Sequence, residues 1–158
     1  MSILQRFQMP GSVAIVTGSG RGIGRAIALA YAEAGADVVC SARSLAEVEA
    51  VAEEVRALGR RAVAIACDVN DAGQRQALVR QSVEQLGRIT HLVNNVGGGG
   101  PNDPLSMTPE QFAQVLTFNV ATSYAFCQLC VPLMREAGGG NIINISSVAA
   151  RYAQRHFS

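Results

Sequence analysis

Tryptophan is absent from this chain of 158 residues, and aromatic side chains make up only 5% of it. So few flat side chains cannot build the stacking platforms that hold nucleic acid bases. Charge is sparse too: charged residues reach 16% and the formal net charge is +1. The cationic residues are scattered rather than gathered into a stripe, so nothing tracks a phosphate backbone. No nucleic acid partner is expected. Long apolar runs are also wanting. Residues 1–7 lack the apolar core and small-residue cleavage site of a signal peptide. The most apolar stretch, 119–134, is interrupted by Asn, Thr, Ser, Gln and Pro. It reads as too short and too polar to span a bilayer. No membrane partner and a cytoplasmic location are the expectations.

Cysteine is scarce, at four residues. Cys40 and Cys67 sit in apolar, strand-like runs, where cysteine behaves as a small buried hydrophobe. Cys127 and Cys130 have the C-x-x-C spacing of redox and zinc sites. They lie deep in a helical segment with no second ligand pair nearby, so they read as structural and no metal is expected.

What is present is apolar and punctuated by glycine: 49% hydrophobic residues and Gly 16 of the total. That suits one compact domain over residues 1–158. The hydrophobic period switches repeatedly between strand and helix. Strands are predicted at 12–17, 37–41, 62–67, 90–94 and 141–145. Helices are predicted at 22–34, with Ile23, Ile27, Ala28 and Tyr31 on one side, at 45–58, at 72–86, and from Thr108 to about Arg135. Ser44 and Glu47 have capping-box spacing at the start of the second helix, and Thr108, Pro109 and Gln111 open the last. Apolar strands joined by helices mean a parallel sheet covered on both faces, a doubly wound α/β fold of the Rossmann kind with five strands present.

The first strand runs directly into Thr17-Gly-Ser-Gly-Arg-Gly-Ile-Gly24 and then into a helix. Glycine lets backbone turn sharply and approach a ligand with no Cβ in the way. The helix start then presents free N–H groups and a positive dipole end to a pyrophosphate. In that strand–loop–helix order the loop points to a dinucleotide. The usual G-x-G-x-x-G spacing would need glycine where Ile23 stands. A nucleoside-triphosphate loop is excluded, since no Gly-Lys-Ser/Thr follows.

T-G-x-x-x-G-I-G at 17–24 resembles the cofactor loop of the short-chain dehydrogenase/reductase family. Asp68-Val69 matches the pair that contacts adenine there, and Asn94-Asn95-Val96-Gly97 resembles the family's N-N-A-G. Asn119 in Phe-Asn-Val matches the catalytic-helix Asn, and Asn144-Ile-Ser-Ser147 matches the strand that delivers the catalytic Ser. The resemblance runs from Val13 to the end of the chain. Within the family, the glycine run 97–100 followed by Pro101 is most similar to bacterial 7α-hydroxysteroid dehydrogenases, while 3-oxoacyl-carrier-protein reductases share the rest.

The resemblance implies an oxidoreductase that interconverts a secondary alcohol and a ketone on a small-molecule substrate. Ser147 and Asn119 would be catalytic. Gly18, Ser19, Arg21, Gly22, Ile23, Gly24, Arg43, Asp68, Val69, Asn95, Val96 and Gly97 would bind the cofactor. The family also uses a Tyr-x-x-x-Lys pair, because a phenol near pKa 10 needs a neighbouring cation to become a base at neutral pH. That pair would fall beyond Ser158. Tyr152, with His156 where Lys belongs, reads as an ordinary loop residue, and His91 is given no catalytic role. The chain is therefore expected to be the front portion of a longer, homo-oligomeric enzyme, with the last strands missing and no turnover of its own. The alternative is a non-catalytic protein that binds a nucleotide or a partner.

Cofactor choice is read at the end of the second strand. An NAD site places an acid there, about 20 residues after the glycine loop, to bond the ribose 2′-hydroxyl. Here that position holds Ala42, followed by Arg43. With no carboxylate to repel it, a 2′-phosphate would sit between Arg43 and the helix start at Ser44, with Arg21 approaching from the loop. NADP(H) is expected over NAD(H).

Overall fold

In the computed structural model, residues 2–99, 103, 105–148 and 151 are described. After a 3₁₀ turn at Leu4–Phe7, strand and helix alternate: β1 Val13–Thr17, α1 Gly22–Glu33, β2 Asp37–Ala42, α2 Leu45–Ala57, β3 Ala62–Ala66, α3 Ala72–Leu86 and β4 His91–Asn94. The chain continues through α4 Pro109–Leu116, a π-helical turn at Thr117–Ala121, α5 Thr122–Glu136 and β5 Asn141–Asn144. The five strands form one parallel sheet in the order β3-β2-β1-β4-β5. The predicted doubly wound sheet is therefore present, with each element within a residue or so of its expected bounds.

The sheet is apolar on both faces because helices cover both. One buried cluster joins Ile15, Val39, Val63 and Leu92 to Leu78 of α3 and Phe126, Cys130 and Met134 of α5. The other joins Val16, Val38, Cys40 and Val93 to α1 and α2. From α2 it takes Val48, Val51, Ala52 and Val55, at spacings of three and four, while Leu45 and Leu58 at the ends of the same row are exposed. From α1 the sheet takes Gly24, Ala28 and Ala32, with Ile27 and Tyr31 of the expected side half-buried against the same cluster, and only Ile23, 66% exposed, turned away. The row of smallest residues, four apart, lets α1 lie closest to the strands.

Helix starts also differ from expectation in one detail. At α4 the capping box is complete: Gln111 N–H donates to Thr108 Oγ1 and Thr108 N–H donates to Gln111 Oε1. At α2 only Glu47 N–H donates to Ser44 Oγ, at 3.4 Å. The last predicted helix is interrupted by the π-turn but is continuous over Pro109–Glu136, 28 residues. That corrects the expectation of a stretch too short for a bilayer: by length and composition alone this helix could cross one. Its α5 half instead packs on β4 and α3, with Thr122, Phe126, Cys130 and Met134 buried.

The start of β2 is pinned by charge. Asp37, only 4% exposed, accepts from Arg60 Nη2 at 2.7 Å, Arg61 Nε at 2.8 Å and Arg61 N at 3.0 Å. Burial by itself would raise this carboxyl's pKa, but the Arg61 hydrogen bonds and the two guanidinium charges outweigh it and hold the pKa below the usual value. Arg61 Nη2 also donates to Leu86 O, so one acid ties β2, the turn into β3 and the end of α3.

Two outcomes follow from this packing. Asp37→Asn is expected to cost about 2–3 kcal/mol at neutral pH, since hydrogen bonds to charged groups are lost and two cations are left facing an amide. A carboxyl whose folded pKa is depressed contributes stability above its unfolded pKa of about 4, and loses it as pH falls through the folded value. Urea titrations of wild type and variant should therefore converge in acid, and a gap independent of pH would refute the assignment. The thiols supply the second outcome. Burial pushes Cys40 and Cys67 up to about 11 and Cys130 up to about 12, whereas Cys127 is only half-buried. A thiol reagent at about pH 8 should reach Cys127 first and the other three only on denaturation. Rapid labelling of native Cys130 would contradict the structural reading of the C-x-x-C pair.

Candidate nucleotide-binding site

β2 and β3 lie to one side of β1, and β4 and β5 to the other, so the chain reverses its order of strands between β1 and β4. Doubly wound sheets open a crevice there, at the carboxyl ends of the strands. Thr17 closes the seam. Its Oγ1 donates to Val93 O at 3.2 Å and accepts from the N–H groups of Asn95 at 3.0 Å and Val96 at 3.3 Å. Asn95 Nδ2 in turn donates to Thr17 O and Gly18 O, at 3.0 and 3.2 Å.

The glycine loop is packed to backbone contact at this seam. Gly18 has φ +66°, and a Cβ on it would stand 2.9 Å from Asn95 Nδ2 and 3.0 Å from Val96 Cγ2. A Cβ on Gly24 would stand 2.2 Å from Gly18 O. Neither contact admits another residue. Arg21, the N-cap of α1, makes no side-chain hydrogen bond to the helix. The N–H groups of its first turn, with the dipole's positive end, are therefore left to an anion.

Ser19 behaves differently from its neighbours. It is fully buried, Ser41 N–H donates to its Oγ at 2.8 Å, and its own N–H donates to Ser41 O at 3.0 Å. Its hydroxyl latches the loop to β2 where β1 has ended, and does not face the crevice.

The crevice holds a cavity of about 450 Å³, within the usual range for small-molecule sites. Gly18 and Arg21 line it from the loop, Arg43 from the end of β2, and Asp68 and Val69 from the end of β3. Asn95, Val96 and Gly97 complete the wall beyond β4. Eight of the twelve expected cofactor residues are thus gathered in one cavity. Gly22, Ile23 and Gly24 form the adjoining first turn of α1, and Ser19 lies beneath the loop. The Asp68 carboxylate is held in place by its neighbours. Its Oδ1 accepts from both Asn70 N–H and Asn70 Nδ2, while Asp68 N–H donates to Gln74 Oε1. Arg21 and Arg43 have no ion-pair partner among the described residues, so the cavity has two uncommitted cations.

Sequence reasoning missed Gly20, Glu47, Asn70 and Phe118, all of which line the same cavity. Glu47 corrects the expectation that no carboxylate stands near Arg43. The sequence points to the tip of β2 for cofactor choice, whereas this acid arrives from the first turn of α2. Its place in an S-x-x-E motif would have flagged it only as a helix cap.

The expected catalytic residues are placed at the same edge. Asn119, in the π-turn, accepts from Gly98 N–H at 2.8 Å and donates through Nδ2 to Gly98 O at 2.8 Å and Val115 O at 2.9 Å. Its side chain clasps the backbone beyond β4. Asn94 pairs in register with Asn144, which carries the exposed Ser147 past β5 as Gly97 is carried past β4. Asn94 Nδ2 donates to Asn144 Oδ1 at 2.8 Å and locks the two strand ends together. His91 lies at the opposite end of β4, against the edge of Tyr31, with its pKa lowered by burial. Tyr152 and His156 lie outside the described residues.

Comparison with known proteins agrees with this geometry. A family model described as short chain dehydrogenase matches residues 12–158. An uncharacterized oxidoreductase of Mycobacterium tuberculosis is 46% identical over 157 residues, covering 99% of this chain and 60% of the relative. The 7α-hydroxysteroid dehydrogenase of Escherichia coli K12 is 39% identical over 143 residues, covering 90% of this chain and 56% of that protein. Among solved structures, a 7α-hydroxysteroid dehydrogenase complexed with NADH and 7-oxo glycochenodeoxycholic acid superposes with TM-score 0.91 at 36% identity, over 99% of this chain and 61% of that one. The chain thus spans between 48% and 60% of the length of the curated relatives it matches. With the glycine loop, the crevice and these likenesses in agreement, the chain belongs to the short-chain dehydrogenase/reductase family of oxidoreductases.

Proposed function

We propose that this chain is the nucleotide-binding portion of an oxidoreductase that uses NADP(H) in preference to NAD(H) and interconverts a secondary alcohol and a ketone. The observation that carries the cofactor reading is the pair of uncommitted arginines, Arg21 and Arg43, lining one cavity around Ala42. In this reading the bound nicotinamide supplies or accepts hydride. The first turn of α1, from Gly22 to Gly24, holds the pyrophosphate. Asp68 and Val69 hold the adenine, and Arg43 and Arg21 hold the 2′-phosphate against the start of α2. Asn95, Val96 and Gly97 form the wall between the nucleotide and the reacting end.

Ser147 holds the substrate oxygen by its hydroxyl, and Asn119 keeps the strand extension at Gly98 in place beside it. The chain contains no lysine, so the phenol and cation that exchange the substrate's proton would come from residues outside these 158. A hydroxysteroid-like or 3-oxoacyl substrate is the class we favour. Likeness to a 7α-hydroxysteroid dehydrogenase complexed with 7-oxo glycochenodeoxycholic acid supports the former. Homo-oligomeric assembly belongs to the same reading.

Arg43→Ala should weaken NADP(H) about ten- to a hundredfold and spare NAD(H), since one hydrogen-bonded charge contact contributes about 1.5–3 kcal/mol. Titrating both nucleotides into both proteins measures this, and tighter NAD(H) binding by wild type would defeat the proposal. In a protein of the relatives' full length, Ser147→Ala should lower kcat about 10²–10⁴-fold with nucleotide Kd unchanged, as for loss of a proton-handling or oxyanion contact. Equal losses in kcat and nucleotide affinity would mean that Ser147 is misassigned.

A further inference from the structure

Glu47 occupies the third position of α2, where an S-x-x-E motif has the acid accept from the N-cap N–H. That bond is not made among the described residues, although Ser44 Oγ does accept from Glu47 N–H. The complete box at Thr108 and Gln111 shows that this fold builds the motif in full elsewhere. At α2 the carboxylate points to the glycine loop instead. Its Oε2 lies 2.8 Å, and its Cβ 2.9 Å, from where a Cβ on Gly20 would stand, with Ala42 Cβ at 3.5 Å from the same point. Glu47 therefore lines the nucleotide cavity beside Gly20, Ala42, Arg43 and Ser44. It has no ion-pair partner among the described residues. Ala42 leaves room at the tip of β2, and Gly20 leaves room in the loop. A side chain at position 20 would meet both the Cβ and Oε2 of Glu47 and displace the acid.

We infer that Glu47 is a specificity-determining residue of this cavity, which accepts hydrogen bonds from the ribose hydroxyls of the adenosine half and opposes a 2′-phosphate. The inference rests on the proposed nucleotide site. An ionised carboxylate is an acceptor only, so a ribose hydroxyl can donate to it. A phosphomonoester carrying about −1.5 to −2 charges is repelled by it. Arg21 and Arg43 attract that same phosphate, so the cavity holds both signs of charge at one end. The preference for NADP(H) is consequently the difference between two arginines and one acid, and NAD(H) keeps a usable affinity.

The test uses the adenosine half alone, which needs no catalytic residue. Adenosine 2′,5′-bisphosphate and 5′-AMP are titrated calorimetrically into wild type, Glu47→Gln, Arg43→Ala and Glu49→Gln. The last is an exposed acid of the same helix outside this cavity, and it controls for net charge. Glu47→Gln should improve the affinity ratio of bisphosphate to 5′-AMP about three- to tenfold, the size of one screened charge acting on a phosphate a few ångströms away. Glu49→Gln should leave the ratio within about twofold, because its carboxylate is exposed and outside the cavity, where water and salt screen it. A Glu47→Gln ratio no different from that of Glu49→Gln overturns the assignment of Glu47. The underlying site is read separately: Arg43→Ala should cut bisphosphate affinity, and no loss there removes the arginine reading whatever Glu47 does. Failure of wild type to bind either nucleotide overturns both.

Discussion

Where β1 ends, the backbone of two diverging segments must still find hydrogen-bond partners, and the Thr17 hydroxyl supplies them. It gives its one proton to Val93 O and receives two successive N–H groups, those of Asn95 and Val96. Asn95 reciprocates through its carboxamide, which donates to Thr17 O and Gly18 O. Leaving one such buried group unmet costs about 1–3 kcal/mol, so the seam holds the two strand ends in one arrangement. The two walls of the cavity on either side of the seam are referred to it. The glycine loop leaves from Thr17, the segment from Asn95 to Gly97 leaves from β4, and α1 can close on the loop only because Gly24 meets Gly18 O directly.

A serine acts comparably on the neighbouring strand. β1 stops at Thr17, paired with Ser41, and the next N–H on that side of β2 would have lost its ladder partner. Ser19 replaces the missing strand with a side chain and a backbone N–H. The loop is thereby stitched to β2 at the point from which Ala42 and Arg43 emerge. Cavity-facing and sheet-facing duties are divided between two residues of one loop, with Ser19 turned inward and Arg21 outward. The Asp37 cluster does similar work at the far end of β2, so that strand is fixed at both ends before it presents anything to a ligand.

Most of this architecture was legible in the sequence because it depends on periodicity. The five apolar runs became the five strands, and the strand–loop–helix order located the crevice. The loop glycines are legible because the strand–loop–helix order expresses backbone geometry, whereas Asp68 and Asn95 stand out only through the resemblance to the short-chain dehydrogenase/reductase family. What escaped notice depends on side-chain direction. Ile27, Ala28 and Tyr31 pack towards the core as their spacing implies, but Ile23 of the same side faces solvent, because closeness to the sheet selects the row Gly24, Ala28 and Ala32. Glu47 matched a cap motif so well that its spacing concealed the second place its carboxylate could go. Asn119 was legible as a marked residue, yet its grip on both polar groups of Gly98 could be seen only in three dimensions.

The π-turn at Thr117–Ala121 has a further effect on how this edge of the molecule can vary. A π-turn contains one residue more than the regular helix needs, and each helical residue turns the axis by about 100°. Everything before it is thus rotated relative to α5, whose row of Thr122, Phe126, Cys130 and Met134 is committed to the core. α4 buries none of its residues. Removing the extra residue would shift Phe118, which packs against the core, and re-aim α4 and its capping box, while Asn119 would lose its alignment with Gly98. The segment that connects Gly98 to Thr108 must reach wherever α4 then begins. A change in the phase of the helix therefore asks for a matching change in the reach of that segment.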